Sequence, residues 1–134
     1  MHANSAGHQR GYLSVSGTST YYKWPFCRDL SDAIHARLLE GTKLGDFGNV
    51  GNFNYYPLRA NTWMPSMLVE QAFMSNHEDE AKMLDPMFRK KMMRAVVLGT
   101  KDWLKRMRAE AGDFLTGGPS DGAIVGHVVT VMRE

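Results

Sequence analysis

The stretch Asn61-Thr-Trp-Met-Pro-Ser-Met-Leu-Val-Glu-Gln-Ala-Phe-Met-Ser-Asn-His-Glu-Asp-Glu80 decides the fold. Pro65 opens a short apolar run, Met67-Leu68-Val69, too short for a helix and bounded like a buried strand. A carboxylate, Glu70, follows at once. A polar turn comes next, whose Ser75-Asn-His-Glu78 reads as a capping box and so as a helix start. A charged residue placed where a buried strand ends and a loop begins draws attention. In α/β proteins ligands bind outside the carboxyl ends of the strands. Glu70 is therefore a candidate for chemistry. The alternative is a strand-end Glu that faces solvent or pairs with a Lys.

Working outward, the segment Tyr12 to Tyr22 alternates and is rich in β-forming residues. Of Tyr21 and Tyr22, one ring is expected in the core and one outward. Pro25 suits a first helical turn. Leu30, Ala33, Ile34 and Leu38 then recur at helix spacing, and Gly41 is the expected residue after the helix end. His35 lies beside that apolar stripe and reads as a packed histidine rather than a ligand. Gly45 to Gly51 reads as a Gly/Asn-rich turn. It lacks the Lys-Ser/Thr of a phosphate loop and the spacing of a dinucleotide fingerprint. Asn52 to Arg59 is expected as an edge strand interrupted by Pro57. Arg59 is a candidate for orienting a substrate carboxylate or phosphate, or for a structural ion pair.

Asp85-Pro86 is a helix start, with Asp as N-cap and Pro at the first helical position. The helix that follows carries Phe88, Met92, Ala95, Val96, Gly99, Trp103 and Met107 near one face. Arg89, Lys90, Lys91, Arg94, Lys101, Lys105 and Arg108 cover much of the rest. That basic surface reads as a solvated face. An anionic wall polymer or nucleic acid would also be attracted to it, but no aromatic-basic platform or helix-turn-helix signature supports nucleic acid. Residues 111–122 read as a linker. Residues 123–134 read as the first strand of a following module, or as a strand added to the domain.

Composition sets outer limits. The chain has 134 residues, enough for one domain with a modest core. A net charge of +2 does not by itself imply nucleic acid, and no apolar run reaches membrane-spanning length. A single cysteine, Cys27, rules out an intramolecular disulfide framework and a cysteine-based zinc site. The ten methionines read as core filler. The residues ahead of the first expected element do not read as a signal peptide.

The stretch Met64-Pro65, Leu68-Val69-Glu70, Phe73-Met74-Ser75-Asn76 and Glu78-Asp79-Glu80 resembles the closing motif of zinc-dependent N-acetylmuramoyl-L-alanine amidases of the amidase type 3 family. His77 stands where that family usually has Pro. Other segments follow the family order. His2-Ala3-Asn4 is similar to the end of a strand that delivers a zinc-ligating His. Gly17-Thr18-Ser19-Thr20-Tyr21-Tyr22 is similar to a Gly-x-Glu-Thr-Tyr-Tyr segment, with Ser19 where many members carry Glu. A Leu/Ala-rich helix, a Gly-rich turn and a segment ending near Leu58-Arg59 come next. The likeness covers roughly residues 2 to 109.

This resemblance implies an α/β fold, a mixed and mostly parallel sheet flanked by helices, of the zinc-exopeptidase-like three-layer type. Residues 1–110 would be the carboxy-terminal part of the catalytic domain, with further domains of the polypeptide on both sides. It implies hydrolysis of the amide between N-acetylmuramic acid and the L-alanine of the stem peptide by Zn2+-activated water. Peptidoglycan would be the partner, without nucleic acid, and the location the periplasm, cell wall or extracellular space. By the same token His2 matches one zinc ligand, Glu70 the general acid/base, and Asn4 and Arg59 are substrate-binding candidates. The other two ligands of the family have no match here, and His8, His35, His77 and His127 lack ligand spacing with His2. The expectation is a fragment inactive on its own. The alternative is a non-catalytic wall-binding module.

Overall fold

The computed structural model describes residues 1–7 and 11–116. His8, His127, residues 117–122 of the expected linker and the expected strand over 123–134 lie outside the described residues. The chain divides into two compact units, Met1–Trp103 and Leu104–Glu134.

The first unit is a four-stranded sheet with helices packed on it. Its strands are β1 (His2–Asn4), β2 (Thr18–Tyr21), β3 (Asp46–Val50) and β4 (Leu68–Phe73), in the order β1-β4-β2-β3. β1 runs parallel to β4 and β2 parallel to β3, while β2 and β4 are antiparallel. The expected mixed, mostly parallel sheet is therefore present.

Strand β4 differs from its expected form. It does not stop before Glu70 but continues through Phe73, so Glu70 sits inside the strand. The reason is pairing. β1 matches His2 to Glu70 and Asn4 to Phe73, so two steps on β1 span three on β4. The extra residue is a bulge, which bends the strand and resets its alternation. Val69 and Ala72 can thus both join the same buried cluster although strict alternation would separate them.

Helix α1 (Arg28–Thr42) follows a short 3-10 turn that Pro25 opens. The apolar spacing read from the sequence is its buried face: Leu30, Ile34 and Leu38 join Leu44, Val69, Ala72, Phe88, Met92 and Ala95 in one core. The helix does not end at Gly41. It runs to Thr42 and closes on Lys43, which takes a left-handed conformation with φ 58°. Thr42 Oγ1 donates back to Leu38 O at 2.6 Å, satisfying one terminal carbonyl.

Two further expectations are corrected. Asp46 to Val50 is an edge strand rather than a turn; β2 pairs in parallel with Asp46, Gly48, Asn49 and Val50, and Gly48 at φ 121° absorbs an irregular step. Tyr56–Ala60 is a short helix, α2, rather than an edge strand, because Pro57 falls in its first turn where no N–H is needed. Of the β-rich segment from Tyr12 to Tyr22, only Thr18–Tyr21 pairs as a strand.

Helix α3 (His77–Leu84) is capped by Asn76, not Ser75: the Asn76 side chain accepts from Glu78 N and Asp79 N, both at 3.1 Å. Ser75 Oγ instead accepts from Ala6 N at 3.0 Å. Helix α4 (Pro86–Thr116) begins as expected, with Asp85 Oδ1 accepting from Met87 N at 2.9 Å. It continues through Thr116, so the first six residues of the expected linker are helical. Arg89 turns back to donate to Met83 O and Leu84 O, both at 2.9 Å, and closes α3.

Gly99 explains a glycine inside α4. A Cβ there would lie 2.5 Å from Ile34 Cα and 2.7 Å from Ala33 O, both backbone atoms of α1. Neither can move without displacing the helix. Gly99→Ala is therefore expected to destabilise the protein although alanine is the better helix former by about 1 kcal/mol. Overpacking of this kind costs about 1–3 kcal/mol, so the net shift is a loss. Urea unfolding of the two proteins checks it; equal or higher stability of the alanine variant would refute the close approach.

Candidate active site

The sheet sorts its side chains by face. Thr20 pairs across from Val69 and reaches α1, with its Oγ1 3.1 Å from His35 Nδ1. That is the helix-covered side. Ser19 lies directly across from Glu70, and Glu70 directly across from His2. Directly opposed residues share a face, so His2, Glu70 and Ser19 stand in a row across three strands on the other side.

His2 and Glu70 are brought together by that register. His2 Nδ1 lies 3.5 Å from Glu70 Oε1, with the histidine side chain 48% exposed and the carboxylate 14%. The second carboxylate oxygen, Oε2, is buried and accepts no hydrogen bond from any described residue. Burial pushes the Glu70 carboxyl above the ordinary carboxylate range, opposed by the charges of His2 and the Met1 ammonium and by the His2 contact. A carboxyl with one oxygen on an imidazole and the other unengaged can take up and give back a proton.

The raised value has a consequence for stability. The folded protein holds the Glu70 proton more tightly than the unfolded chain does. The contribution of this group is then fully present below the unfolded carboxyl range and is lost as pH rises through the folded value. Glu70→Gln is expected to remove that loss. Its melting temperature should exceed that of the metal-free parent at pH 7 and approach it at pH 4; a parallel pair of melting curves across that range would rule out a strained carboxylate.

The remaining candidates fall elsewhere. Asn4 lies on β1, where its Oδ1 accepts from Ser5 N at 2.8 Å. Arg59 is exposed on α2, its guanidinium 5.5 Å from the Tyr56 ring centroid, and forms no ion pair among the described residues. His77 is exposed and meets the Tyr12 ring edge-on at 5.0 Å between centroids.

His35 is buried between Thr20 and Asp46, with Nε2 2.9 Å from Asp46 Oδ1. Hydroxyl, imidazole and carboxylate thus occur in the order of a nucleophile triad. Thr20 is fully buried, however, and its hydroxyl donates to Asn49 Oδ1 at 2.9 Å. Ser31 donates to the same oxygen at 2.8 Å, and Asn49 Nδ2 donates to Asp32. The group is a polar bracket joining α1 to β2 and β3.

The fit to a metal is partial. Among the described residues no three His, Cys, Asp or Glu side chains cluster as ligands. A catalytic zinc takes three protein ligands and an open position. His2 beside a carboxylate with an unengaged oxygen suits one edge of such a site, but these two groups do not complete it.

Sequence reading missed Asp79. This residue of the first turn of α3 is 2% exposed, and its Oδ2 accepts from Gly17 N at 2.8 Å and from Phe73 N at 3.2 Å. It ties the approach to β2 to the end of β4, the two strands that carry Ser19 and Glu70. An acidic residue in a first helical turn usually answers the helix dipole, and nothing in the sequence separates that role from a clamp.

A model of the N-acetylmuramoyl-L-alanine amidase family, Amidase_3, matches residues 1–102. The chain belongs to this family. An uncharacterized cell wall amidase of Bacillus anthracis is 34% identical to it over 108 residues, covering 72% of this chain and 20% of the relative. Among solved structures, the catalytic domain of CwlV, an N-acetylmuramoyl-L-alanine amidase of Bacillus (Paenibacillus) polymyxa var. colistinus, superposes with a TM-score of 0.68 at 28% identity. It covers 77% of this chain and 54% of its own. AmiC2 of Nostoc punctiforme, another N-acetylmuramoyl-L-alanine amidase, matches with a TM-score of 0.69 at 25% identity over the same shares. This amidase chain therefore spans about half the length of those solved domains and a fifth of the curated relative.

Proposed function

We propose that this chain contributes the proton-carrying part of a cell-wall amidase site, acting on the amide between N-acetylmuramic acid and the L-alanine of the stem peptide. The observation that carries the reading is the His2–Glu70 pair, placed across a parallel strand pairing with one carboxylate oxygen unengaged. Glu70 is the general acid/base: it takes a proton from the attacking water and returns it to the departing nitrogen. The burial that raises its affinity for a proton suits both steps.

His2 is proposed as one ligand of Zn2+, with the remaining ligands outside the described residues. Bound zinc would polarise the amide carbonyl and acidify water. The described groups hold too few ligands to retain the ion, so these 134 residues alone are proposed to be inactive. Family membership supports peptidoglycan as substrate and a location at the cell wall, in the periplasm or outside the cell. Among the described residues no helix is long and apolar enough to cross a membrane.

The test is release of stem peptide with a free L-alanine amino terminus from purified peptidoglycan, by a protein that carries this chain together with the rest of an amidase domain. Release that a chelator stops supports the reading. Retention on peptidoglycan without any release supports a wall-binding module instead.

A further inference from the structure

From the position of three rings beside the His2–Glu70 pair, we propose that Tyr21, Phe53 and Tyr55 form a stacking subsite for a hexosamine ring of the glycan strand. The inference rests on the amidase reading and adds to it where the sugar lies. Tyr21 is two residues beyond Ser19 on β2, and Ser19 Oγ donates to its hydroxyl at 3.2 Å, which puts its ring on the Glu70 face. The Tyr21 and Phe53 rings are 4.6 Å apart between centroids, Phe53 and Tyr55 6.4 Å, and Tyr55 and His2 5.8 Å. The rings thus run without interruption from the middle of the sheet to the histidine that touches Glu70.

Phe53 and Tyr55 are each 37% exposed, yet they are not held loosely. Phe53 N donates to Tyr22 O and Tyr55 N to Phe53 O, both at 3.0 Å, while Tyr55 O accepts from Leu58 N and Arg59 N at the start of α2. Asn52, at φ 56°, turns the chain into this path and accepts from Lys23 Nζ at 2.6 Å. Leaving two fixed aromatic faces partly in water forgoes part of their apolar burial. A ligand that covers them recovers it.

The chemistry of the strip selects the occupant. Tyr21, Phe53 and Tyr55 offer flat apolar faces, and the two tyrosines add phenol hydroxyls at the rim. A hexosamine ring presents an apolar face of C–H groups and a rim of hydroxyls, which matches such an amphipathic surface. The stem peptide carries carboxylates and amines, for which these three rings offer no ionic partner. The strip also continues directly from the pair that would act on the bond joining sugar to peptide.

Titration of the chain with an N-acetylglucosamine tetramer, followed by calorimetry, tests the proposal without any turnover. Tyr55→Ala is expected to weaken binding about tenfold, the scale of one lost aromatic contact. Tyr55→Leu, which keeps apolar bulk but loses the flat ring, should weaken it similarly with an unchanged melting temperature. Trp63→Ala, at a residue 81% exposed, should leave affinity unaltered. Absence of saturable binding by the parent chain overturns the subsite. So does equal affinity in the folded Tyr55→Leu variant, or Tyr55-dependent binding of free stem peptide in place of the sugar. Tetramer binding with no stem-peptide release by the longer protein removes the amidase reading and leaves the strip standing; release with a KM untouched by Tyr55→Leu does the reverse.

Discussion

Glu70→Gln is expected to lower kcat for stem-peptide release about 100- to 10,000-fold, the range that general acid–base catalysis supplies. The glutamine keeps the shape of the side chain but cannot take up a proton at Oε2, the buried oxygen that accepts no hydrogen bond. KM should change little, because an interaction made only as the proton moves is lost from kcat and kcat/KM together. The parent enzyme's rate should also depend on the Glu70 proton, whose affinity burial raises. The measurement uses the longer protein supplied with Zn2+, with metal content determined for both forms. His2→Ala is the contrasting variant: loss of the proposed imidazole ligand should lower bound zinc, whereas Glu70→Gln should retain it. Unchanged turnover in the glutamine variant would remove Glu70 from the mechanism. Loss of zinc in that variant would reassign Glu70 as a ligand.

The sequence exposed some parts of this site and hid others for physical reasons. Local signals were sufficient where a single segment determines its own structure. The apolar spacing of Leu30, Ile34 and Leu38 became the buried face of α1, and Asp85-Pro86 opened α4. Signals failed where a partner decides. Asp46–Val50 is a strand because β2 lies beside it, against the turn propensity of two glycines and an asparagine. Glu70 lies inside β4 rather than at its end because β1 extends the pairing to Phe73. Pro57 was read as a break in a strand, yet the same residue is equally suited to a helical first turn. The motif order named His2 and Glu70 as candidates, and the register puts them face to face. The row Ser19, Glu70, His2 and the rings of Phe53 and Tyr55 depend on three strands meeting, which no spacing within one segment encodes.

Asp79→Ala is expected to destabilise the fold by about 2–6 kcal/mol, the cost of leaving two buried backbone donors without an acceptor. One oxygen, Oδ2, accepts from both Gly17 N and Phe73 N, so its removal strands two backbone donors at once. Each unsatisfied buried group costs about 1–3 kcal/mol. Gly17 cannot yield to meet a new partner cheaply: it sits at φ 115°, and a Cβ there would lie 2.5 Å from Gly45 O. Against a typical net stability of about 5–15 kcal/mol, such a loss is a large share of the whole. Lys82 adds little, since its Nζ is 3.8 Å from Oδ1 and 43% exposed. Asp79→Asn is then the decisive comparison. An amide oxygen in the place of Oδ2 can keep both backbone bonds, so this variant should lose far less stability than the alanine one. Urea unfolding compares the two, and hydrogen exchange reads the same clamp locally: in Asp79→Ala the amides of Gly17 and Phe73 should lose protection first. Those amides flank the antiparallel pairing that sets Ser19 opposite Glu70. A clamp seated nine residues after Glu70 in sequence would thus control its register, and equal stability of the alanine and asparagine variants would show that it does not.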